Sequence, residues 1–255
     1  MIIRCSMSPR WLSNTYLVAD RPGGRALLID TGGPAEPILR MVDEMKVTVT
    51  HALCTHHHLD HVAHNDLYRR WLGCVVGGHP AERDLFGNLD VTLSDGMEIL
   101  SGELRARCLH IPGHTAGQLA FVLNEERVFT GDTLFRGSVG GTRAPGHTCF
   151  ADLRRSIMEV LMTLPPEMTV HPGHTDSTTI GREWELNPFI RMWRGLEPPG
   201  SATCAALGEP ATLLLRAPDY DGGTKCWVRF DEGAREDIVP GSRVEDLPEG
   251  RDVHS

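Results

Sequence analysis

The sequence predicts an α/β protein of layered sheets and helices, and three observations support this fold class. Two apolar runs, residues 14–20 and 25–30, are joined by a turn-forming Arg-Pro-Gly-Gly cluster, which is typical of a β-hairpin. Residues 34–46 carry apolar side chains near helical spacing, and residues 47–55 form a β-branched run. This β-α-β alternation favours a sheet whose strands end in loops at one edge, where functional residues tend to lie.

The alternation continues through the first 195 residues. We expect one helix over residues 62–72 and another around residues 151–164. Short apolar strands are expected at residues 74–77, 104–111, 118–123, 127–130 and 168–171. These elements predict one domain over residues 1–195, a size that a single hydrophobic core can support.

The composition changes after residue 195. Residues 196–208 are rich in Gly, Pro, Ala and Ser and are predicted to be a linker. Residues 209–255 contain roughly three short apolar runs and are predicted to be a small β appendage, which needs packing against the main domain to be stable. The sequence does not identify the role of this appendage.

Composition and charge exclude several classes of protein. Of the 255 residues, 40% are hydrophobic and 23% charged, and no apolar run approaches the ~20 residues that a membrane span needs. The net charge of −9 opposes binding to the phosphate backbone of nucleic acid. The N-terminus lacks a secretory-signal pattern, and the seven cysteines, never spaced as Cys-x-x-Cys, indicate buried thiols in a reducing compartment. We therefore expect a cytoplasmic protein without nucleic-acid or membrane partners.

A histidine-rich motif, His56-His-His-Leu-Asp-His61, directly follows a predicted strand. Residues two apart in an extended segment project to the same side, so His56 and His58 can bind one metal ion. Asp60 and His61, at the turn into the next helix, can then face a second ion beside it. Imidazole and carboxylate are suitable Zn²⁺ ligands, and hydrolytic sites use two metals ~3.5–4 Å apart.

Three further ligand-type residues each follow a predicted strand. Pro112-Gly-His114 and Pro172-Gly-His174 are matching motifs, and Gly131-Asp132 lies between them in the chain. The glycines allow the backbone to approach an ion closely. Asp30, at the end of the predicted hairpin, is expected to support the site without being a ligand.

Together these residues and their order closely resemble the metallo-β-lactamase superfamily over about residues 10–195. The resemblance implies a four-layer αββα sandwich as the catalytic domain, with the metals at one edge of two facing sheets. It implies two metal ions per chain, Zn²⁺ in the first place and Fe²⁺ or mixed metals as the alternative. The ligands implied are His56, His58 and His114 for the first ion, Asp60, His61 and His174 for the second, and Asp132 as the bridge.

Residues 131–140 and 178–189 resemble the compact bacterial glyoxalase II-like branch, which hydrolyses thioesters such as hydroxyacylglutathione. The tail differs from the helical glutathione-binding domain of full-length glyoxalase II. The resemblance implies a small-molecule acyl-thioester substrate, a bridging hydroxide as nucleophile, and Asp60 as the catalytic residue that orients it. A thiol leaves readily because its pKa is only ~8.5, which suits a site without a further general acid. The sequence leaves the acyl group, the thiol carrier and the oligomeric state open.

Three alternatives use the same chain differently. His56, His114 and Asp132 also resemble the two-His, one-carboxylate site of persulfide dioxygenases, which hold a single Fe(II). Hydrolysis of a lactone or β-lactam would use the same two metals with another pocket. In a non-catalytic alternative the β tail is a binding module on a structural metal fold, although a structural zinc site is normally closed and mononuclear. Residues 178–189 favour thioester hydrolysis among these.

Overall fold

The main body of the protein is a sandwich of two six-stranded sheets. The computed structural model describes residues 1–247. Across the first sheet the strands, numbered in chain order, are β1 (Ile2–Met7), β2 (Asn14–Ala19), β3 (Arg25–Ile29), β4 (Thr48–Leu53), β5 (Val75–Gly78) and β6 (Val91–Thr92). Across the second they are β14 (Thr178–Thr179), β13 (Thr169–Pro172), β10 (Arg127–Gly131), β9 (Leu119–Leu123), β8 (Leu104–His110) and β7 (Glu98–Ser101).

Helices pack on the outer face of each sheet. The first sheet is covered by α1 (Ala35–Met45), α2 (Leu59–Val62), α3 (Asn65–Leu72) and α4 (Arg83–Phe86). The second is covered by α5 (Phe150–Arg155), α6 (Ile180–Leu186) and α7 (Pro188–Trp193). Helix α5 continues through a π-helical turn (Ser156–Val160) and a 3-10 turn (Leu161–Thr163). The predicted four-layer αββα sandwich is therefore confirmed.

The apolar core lies in three layers, one between the sheets and one under each set of helices. Val18 and Leu27 of the first sheet meet Phe121 and Phe129 of the second, and all four are essentially inaccessible to solvent. Strand β2 is buried along its whole length because the other sheet covers one face and the helices cover the other. Since both faces are apolar, its sequence lacks the alternation of a half-exposed strand.

The segment predicted as one helix over residues 62–72 is two helices, α2 and α3. The break falls at His64, whose backbone N–H bonds to the carbonyl of Thr31 instead of continuing the first helix. The imidazole Nδ1 of His64 donates to the same carbonyl at 2.7 Å. This junction ties the loop after β3 to the loop that carries the histidine-rich motif.

The C-terminal region forms a separate five-stranded antiparallel sheet, where the sequence predicts about three strands. Its order is β18 (Glu236–Pro240), β17 (Thr224–Phe230), β16 (Glu209–Pro218), β15 (Ala202–Ala206) and β19 (Val244–Asp246). Strand β15 lies inside the range predicted to be a linker, of which only residues 196–201 and 207–208 are outside any strand or helix. Residues 248–255 of the predicted appendage lie outside the described residues.

This C-terminal sheet packs against the main domain. Leu214, Trp227 and Ile238 belong to the same buried cluster as the outer face of the second sheet. The Trp227 ring stacks on Phe150 of α5 with centroids 5.5 Å apart. Removing such apolar surface from water stabilises the contact, so the appendage shares a core with the sandwich.

The sequence predicts that the chain has no membrane-spanning segment and that its cysteines are buried thiols. Within residues 1–247, no helix has the length and apolar character needed to cross a bilayer. All seven cysteines are free thiols, and five of them are buried. The prediction of buried thiols is wrong for Cys5 and Cys149, which are exposed.

Candidate metal centre

All seven residues proposed as ligands meet at one edge of the sandwich. The loop after β4 carries the histidine-rich motif, and the loops after β8, β10 and β13 carry the other three residues. Three overlapping groups bring one ligand atom from each member within 4.8 Å of the others. The groups are His56, His58 and His114; His56, His61 and Asp132; and Asp60, His61 and His174.

The first group is formed by His56, His58 and His114. Nε2 of His56 lies 2.9 Å from Nδ1 of His58, which lies 3.1 Å from Nε2 of His114. Two nitrogen ligands of one tetrahedral Zn²⁺, each at ~2.0–2.1 Å, are about 3.3 Å apart. The three nitrogens therefore converge at the separation that a shared ion requires.

The second group is formed by Asp60, His61 and His174. Nε2 of His61 and Nε2 of His174 are 3.3 Å apart, and each is 3.5 Å from Oδ2 of Asp60. Both imidazoles are buried, whereas the Asp60 side chain is 26% exposed. Asp60 is thus the member of this group that faces outward.

Asp132 lies between the two groups. Its Oδ2 is 3.2 Å from Nε2 of His174 and 3.6 Å from Nε2 of His114, and its Oδ1 is 3.3 Å from Nε2 of His61. Oδ1 is buried and has no hydrogen-bond partner among the described residues. A buried carboxylate oxygen without a partner is costly unless a cation neutralises it. The carboxylate as a whole fits the position between two divalent ions, because Oδ2 lies near nitrogens of both groups.

Hydrogen bonds at the far side of three rings fix which nitrogen faces the cluster. Nδ1 of His174 donates to the carbonyl of Trp11 at 3.0 Å, and Nδ1 of His114 donates to that of Gly141 at 3.0 Å. Nε2 of His58 donates to the carbonyl of Pro145 at 2.8 Å. Because a carbonyl only accepts, each ring carries its proton there, and the nitrogen facing the cluster keeps its lone pair.

Asp30 fixes the other two rings. Its Oδ2 accepts from Nδ1 of His61 at 2.9 Å and from Oγ1 of Thr55 at 2.8 Å. The Thr55 oxygen in turn accepts from Nδ1 of His56 at 3.0 Å. Asp30 belongs to none of the three ligand groups, which agrees with its expected supporting role.

Burial and charge set the protonation of the cluster. Burial lowers the pKa of His56 well below its usual value and that of His114 to about 4, so both rings are neutral at pH 7. Neutral imidazole is the form that binds a metal. Burial also disfavours the charged form of His61, but the carboxylates of Asp132 and Asp30 outweigh it and raise the pKa of that ring. The carboxylates therefore favour positive charge at this point of the cluster, which a divalent ion would supply in place of a proton on His61.

A close backbone approach at the cluster depends on Gly173. A Cβ at this position would lie 2.2 Å from Oδ1 of Asp132 and 2.8 Å from Cε1 of His61. Real Cβ atoms essentially never come within 3.0 Å of another heavy atom in this way. The backbone at Gly173 therefore closely approaches two proposed ligand side chains, and the expected close approach to an ion stays a prediction.

Sequence reasoning missed Glu82, which holds the histidine-rich loop. Its buried carboxylate accepts from the backbone N–H of His57 at 2.9 Å and of Gly117 at 2.6 Å. It also accepts from Nδ1 of His57 at 2.8 Å. Burial opposes ionisation, but the hydrogen bonds from His57 and Gly117 outweigh it and lower the pKa of Glu82. No local pattern marks this residue, because its partners lie 25 and 35 positions away.

We expect Glu82→Gln to destabilise the fold by about 1–3 kcal/mol, because an amide NH₂ would face an N–H donor in place of a carboxylate oxygen. Denaturant unfolding of the metal-loaded protein measures this free energy. Glu159→Gln, at an exposed position, is the matched control and should leave unfolding unchanged. Equal unfolding midpoints for the two variants would show that the carboxylate does not hold the loop.

Tyr220, from the C-terminal sheet, also lies at the cluster and was not predicted. Its ring stacks on His174 with centroids 4.4 Å apart and planes 16° apart. Burial, and next the carboxylate of Asp132, raise the pKa of Tyr220, so its hydroxyl stays protonated at pH 7. The only sequence signal was a turn, Asp219-Tyr-Asp-Gly-Gly223, which did not indicate where the turn would lie.

Comparison with known proteins shows which family this chain resembles. A sequence model of the metallo-beta-lactamase superfamily matches residues 8–174. Hydroxyacylglutathione hydrolase GloC of Haemophilus influenzae is 34% identical over 185 residues, covering 65% of this chain and 87% of that protein. The crystal structure of ETHE1 from Myxococcus xanthus aligns with a TM-score of 0.65 and 31% identity, covering 78% of this chain and 92% of that one.

A further solved structure is that of TTHA1623 in a di-iron-bound form. It aligns with a TM-score of 0.62 and 34% identity, and the alignment covers 74% of this chain and 100% of that one. The family match includes every strand of the two large sheets except the edge strands β1 and β14, and it ends at the last proposed ligand, His174. With this match, and with the ligand-type side chains gathered at the edge of the sheets, the chain belongs to the metallo-beta-lactamase superfamily.

Proposed function

We propose that this protein is a metal-dependent hydrolase that cleaves a small acyl thioester. The observation that carries the proposal is the pair of adjacent ligand groups with Asp132 between them. Two-metal sites of this kind are typical of hydrolytic enzymes. The likeness to a hydroxyacylglutathione hydrolase supports a thioester as the substrate.

Different residues of the site would have different roles in such a reaction. Two divalent ions, when bound, supply Lewis acidity and lower the pKa of bound water towards ~7. Asp60, the outward-facing carboxylate, orients the water and accepts its hydrogen bond. The ring hydrogen bonds to Trp11, Gly141 and Pro145 keep the histidines in place. A thiolate departs without protonation because a thiol has a pKa of only ~8.5.

We propose Zn²⁺ as the metal, because tetrahedral nitrogen sites with neutral imidazoles suit it. Iron is the alternative. Imidazole and carboxylate also bind iron, and a relative at 34% identity has been solved in a di-iron-bound form. The donor atoms alone are compatible with either ion.

A dioxygenase acting on a persulfide with a single Fe(II) is the second candidate function. It would use His56, His114 and Asp132, and Nε2 of His114 lies 3.6 Å from Oδ2 of Asp132. The second group, Asp60, His61 and His174, is complete and its rings are oriented by hydrogen bonds, which is compatible with both functions. The likeness to a hydroxyacylglutathione hydrolase supports hydrolysis as the first candidate.

Elemental analysis of protein purified without added metal, combined with two activity assays, tests the proposal. We expect about two zinc ions per chain and release of thiol from S-lactoylglutathione. One iron per chain, with oxygen consumption on glutathione persulfide and no thioester cleavage, would instead support the dioxygenase. Protein loaded with two metals that cleaves neither compound would contradict both functions.

A further inference from the structure

One turn of the C-terminal sheet reaches the metal centre. It connects β16 to β17 and carries Tyr220, whose ring stacks on that of a proposed ligand, His174. The turn lies beyond residue 174, where the superfamily match ends. The C-terminal sheet therefore adds to the site a side chain that the matched part of the fold does not supply.

A buried ion pair holds this turn in place. Nζ of Lys225 is 3.0 Å from the carboxylate of Asp219, and both side chains are only 7% exposed. Lys225 also donates to the carbonyl of Val139, in the hairpin of β11 (Leu134–Phe135) and β12 (Ser138–Val139). Oγ of Ser138 donates to Asp219 at 2.8 Å. Because Lys225 and Asp219 are paired with each other and each is hydrogen-bonded to the hairpin, the turn is fixed against it.

The fixed turn leaves the Tyr220 hydroxyl available to a ligand. The ring is held between His174 and Phe135, whose centroids are 4.4 and 4.7 Å away. Tyr220 is half-buried, and its hydroxyl is not among the fully buried side-chain atoms that lack a partner. Within residues 1–247 no group hydrogen-bonds this hydroxyl, so it is free to bond to a ligand that displaces solvent.

Tyr220 also forms one wall of an open pocket of about 520 Å³ beside the cluster. The pocket is lined by Met7, Arg136, Gly137, Thr175, Asp176, Arg182 and Tyr220. Nη1 of Arg136 lies 3.2 Å from Oδ2 of Asp176, and in the part of the chain that the structure describes the exposed Arg182 makes no ion pair. Two guanidinium groups against one carboxylate give the pocket a net positive charge.

From these observations we propose that Tyr220, Arg136 and Arg182 bind the anionic end of the thiol carrier, while the acyl group lies at the metal centre. The inference rests on the proposed thioester hydrolysis and names its substrate class, a thioester whose thiol carries carboxylate or phosphate. Guanidinium groups recognise both anions through charge-assisted hydrogen bonds. Tyr220 contacts both parts of the site and so links carrier binding to the reacting bond.

Kinetics with two carriers test this assignment on the full-length, zinc-loaded protein. The probes are S-lactoylglutathione, whose carrier has carboxylates, and S-lactoyl-N-acetylcysteamine, whose carrier is uncharged. For Arg182→Met we expect the ratio of kcat/KM between the charged and uncharged thioesters to fall about tenfold. Arg243→Met is the matched control and keeps the wild-type ratio, because Arg243 is an exposed arginine in the turn between β18 and β19, outside the pocket.

Direct binding separates this inference from the proposed function. Calorimetry with S-methylglutathione, which cannot be hydrolysed, should show affinity weakened about tenfold by Arg182→Met and several-fold by Tyr220→Phe. If the wild type binds this probe in that way but cleaves no thioester, the pocket is supported and hydrolysis is contradicted. If the wild type cleaves both thioesters and neither substitution changes the ratio or the affinity, the pocket assignment is overturned and hydrolysis stands.

A third thioester distinguishes the two sources of the anion. Preference for a coenzyme A thioester that Arg182→Met abolishes would assign the anion to phosphate and support the same pocket. Preference for S-lactoylglutathione would assign it to carboxylate.

Discussion

We expect the His58→Ala variant to bind one metal ion instead of two and to hydrolyse the thioester with a kcat/KM lowered at least ~10²-fold. Substituting a residue that only hydrogen-bonds to a metal ligand already lowers metal affinity or activity 10–100-fold, and His58 is itself a proposed ligand. His58 provides the nitrogen that lies between those of His56 and His114, at 2.9 and 3.1 Å. It is only half-buried, so truncation leaves the core intact. Metal content per chain, measured beside kcat/KM, checks the prediction.

His51→Gln is the matched control for this change. His51 lies on β4, upstream of the same loop, and it belongs to none of the ligand groups. Its substitution should leave both metal content and turnover at wild-type values. If His58→Ala also retains two ions and full activity, the assignment of a two-metal centre is wrong.

The Gly173→Ala variant should have an effect of similar size although it removes no ligand. The added methyl would lie 2.2 Å from Oδ1 of Asp132, so the carboxylate must shift by more than an ångström to reach an ordinary contact distance. Displacements of ~1 Å at a reacting centre can lower rates by ~10²-fold. We expect reduced metal occupancy and activity, measured by elemental analysis and thioester turnover.

Gly141→Ala serves as the comparison because its added methyl would meet only the carbonyl of Ile238, at an ordinary 3.6 Å. Gly141 also neighbours the site, since its own carbonyl accepts from His114. Wild-type behaviour of Gly141→Ala together with a defective Gly173→Ala would locate the effect at Asp132. Wild-type behaviour of both would show that the backbone at Gly173 can move aside.

Much of the candidate site could be predicted because its proposed ligands follow local sequence rules. His56, His58, Asp60 and His61 occupy six consecutive residues, and the matching Pro-Gly-His motifs each follow a strand. Strand ends on one side of a sheet meet at one edge, so order along the chain predicted closeness in space. The four-layer arrangement came from the family resemblance, since periodicity alone identifies elements and not their layering.

What the sequence could not predict depends on long-range contacts. Glu82 and Tyr220 reach the site through partners far away in the chain, and no spacing rule marks them. Strand β15 is the segment Ala-Thr-Cys-Ala-Ala, whose small residues gave no strand signal beside the prolines and glycines before it. It forms a strand because β16 and β19 pair with it on both sides. Tertiary context overrides weak local propensity here.

The stacking of Tyr220 on His174 has an evolutionary consequence. The proposed ligands come from the part of the chain that matches the superfamily, whereas Tyr220 comes from a C-terminal sheet outside that match. Mutations in the turn between β16 and β17 can change what lies against the metal centre while every ligand stays the same. In a lineage that carries this sheet, replacing a few turn residues can change the surroundings of the metal centre while the proposed metal ligands are inherited unchanged.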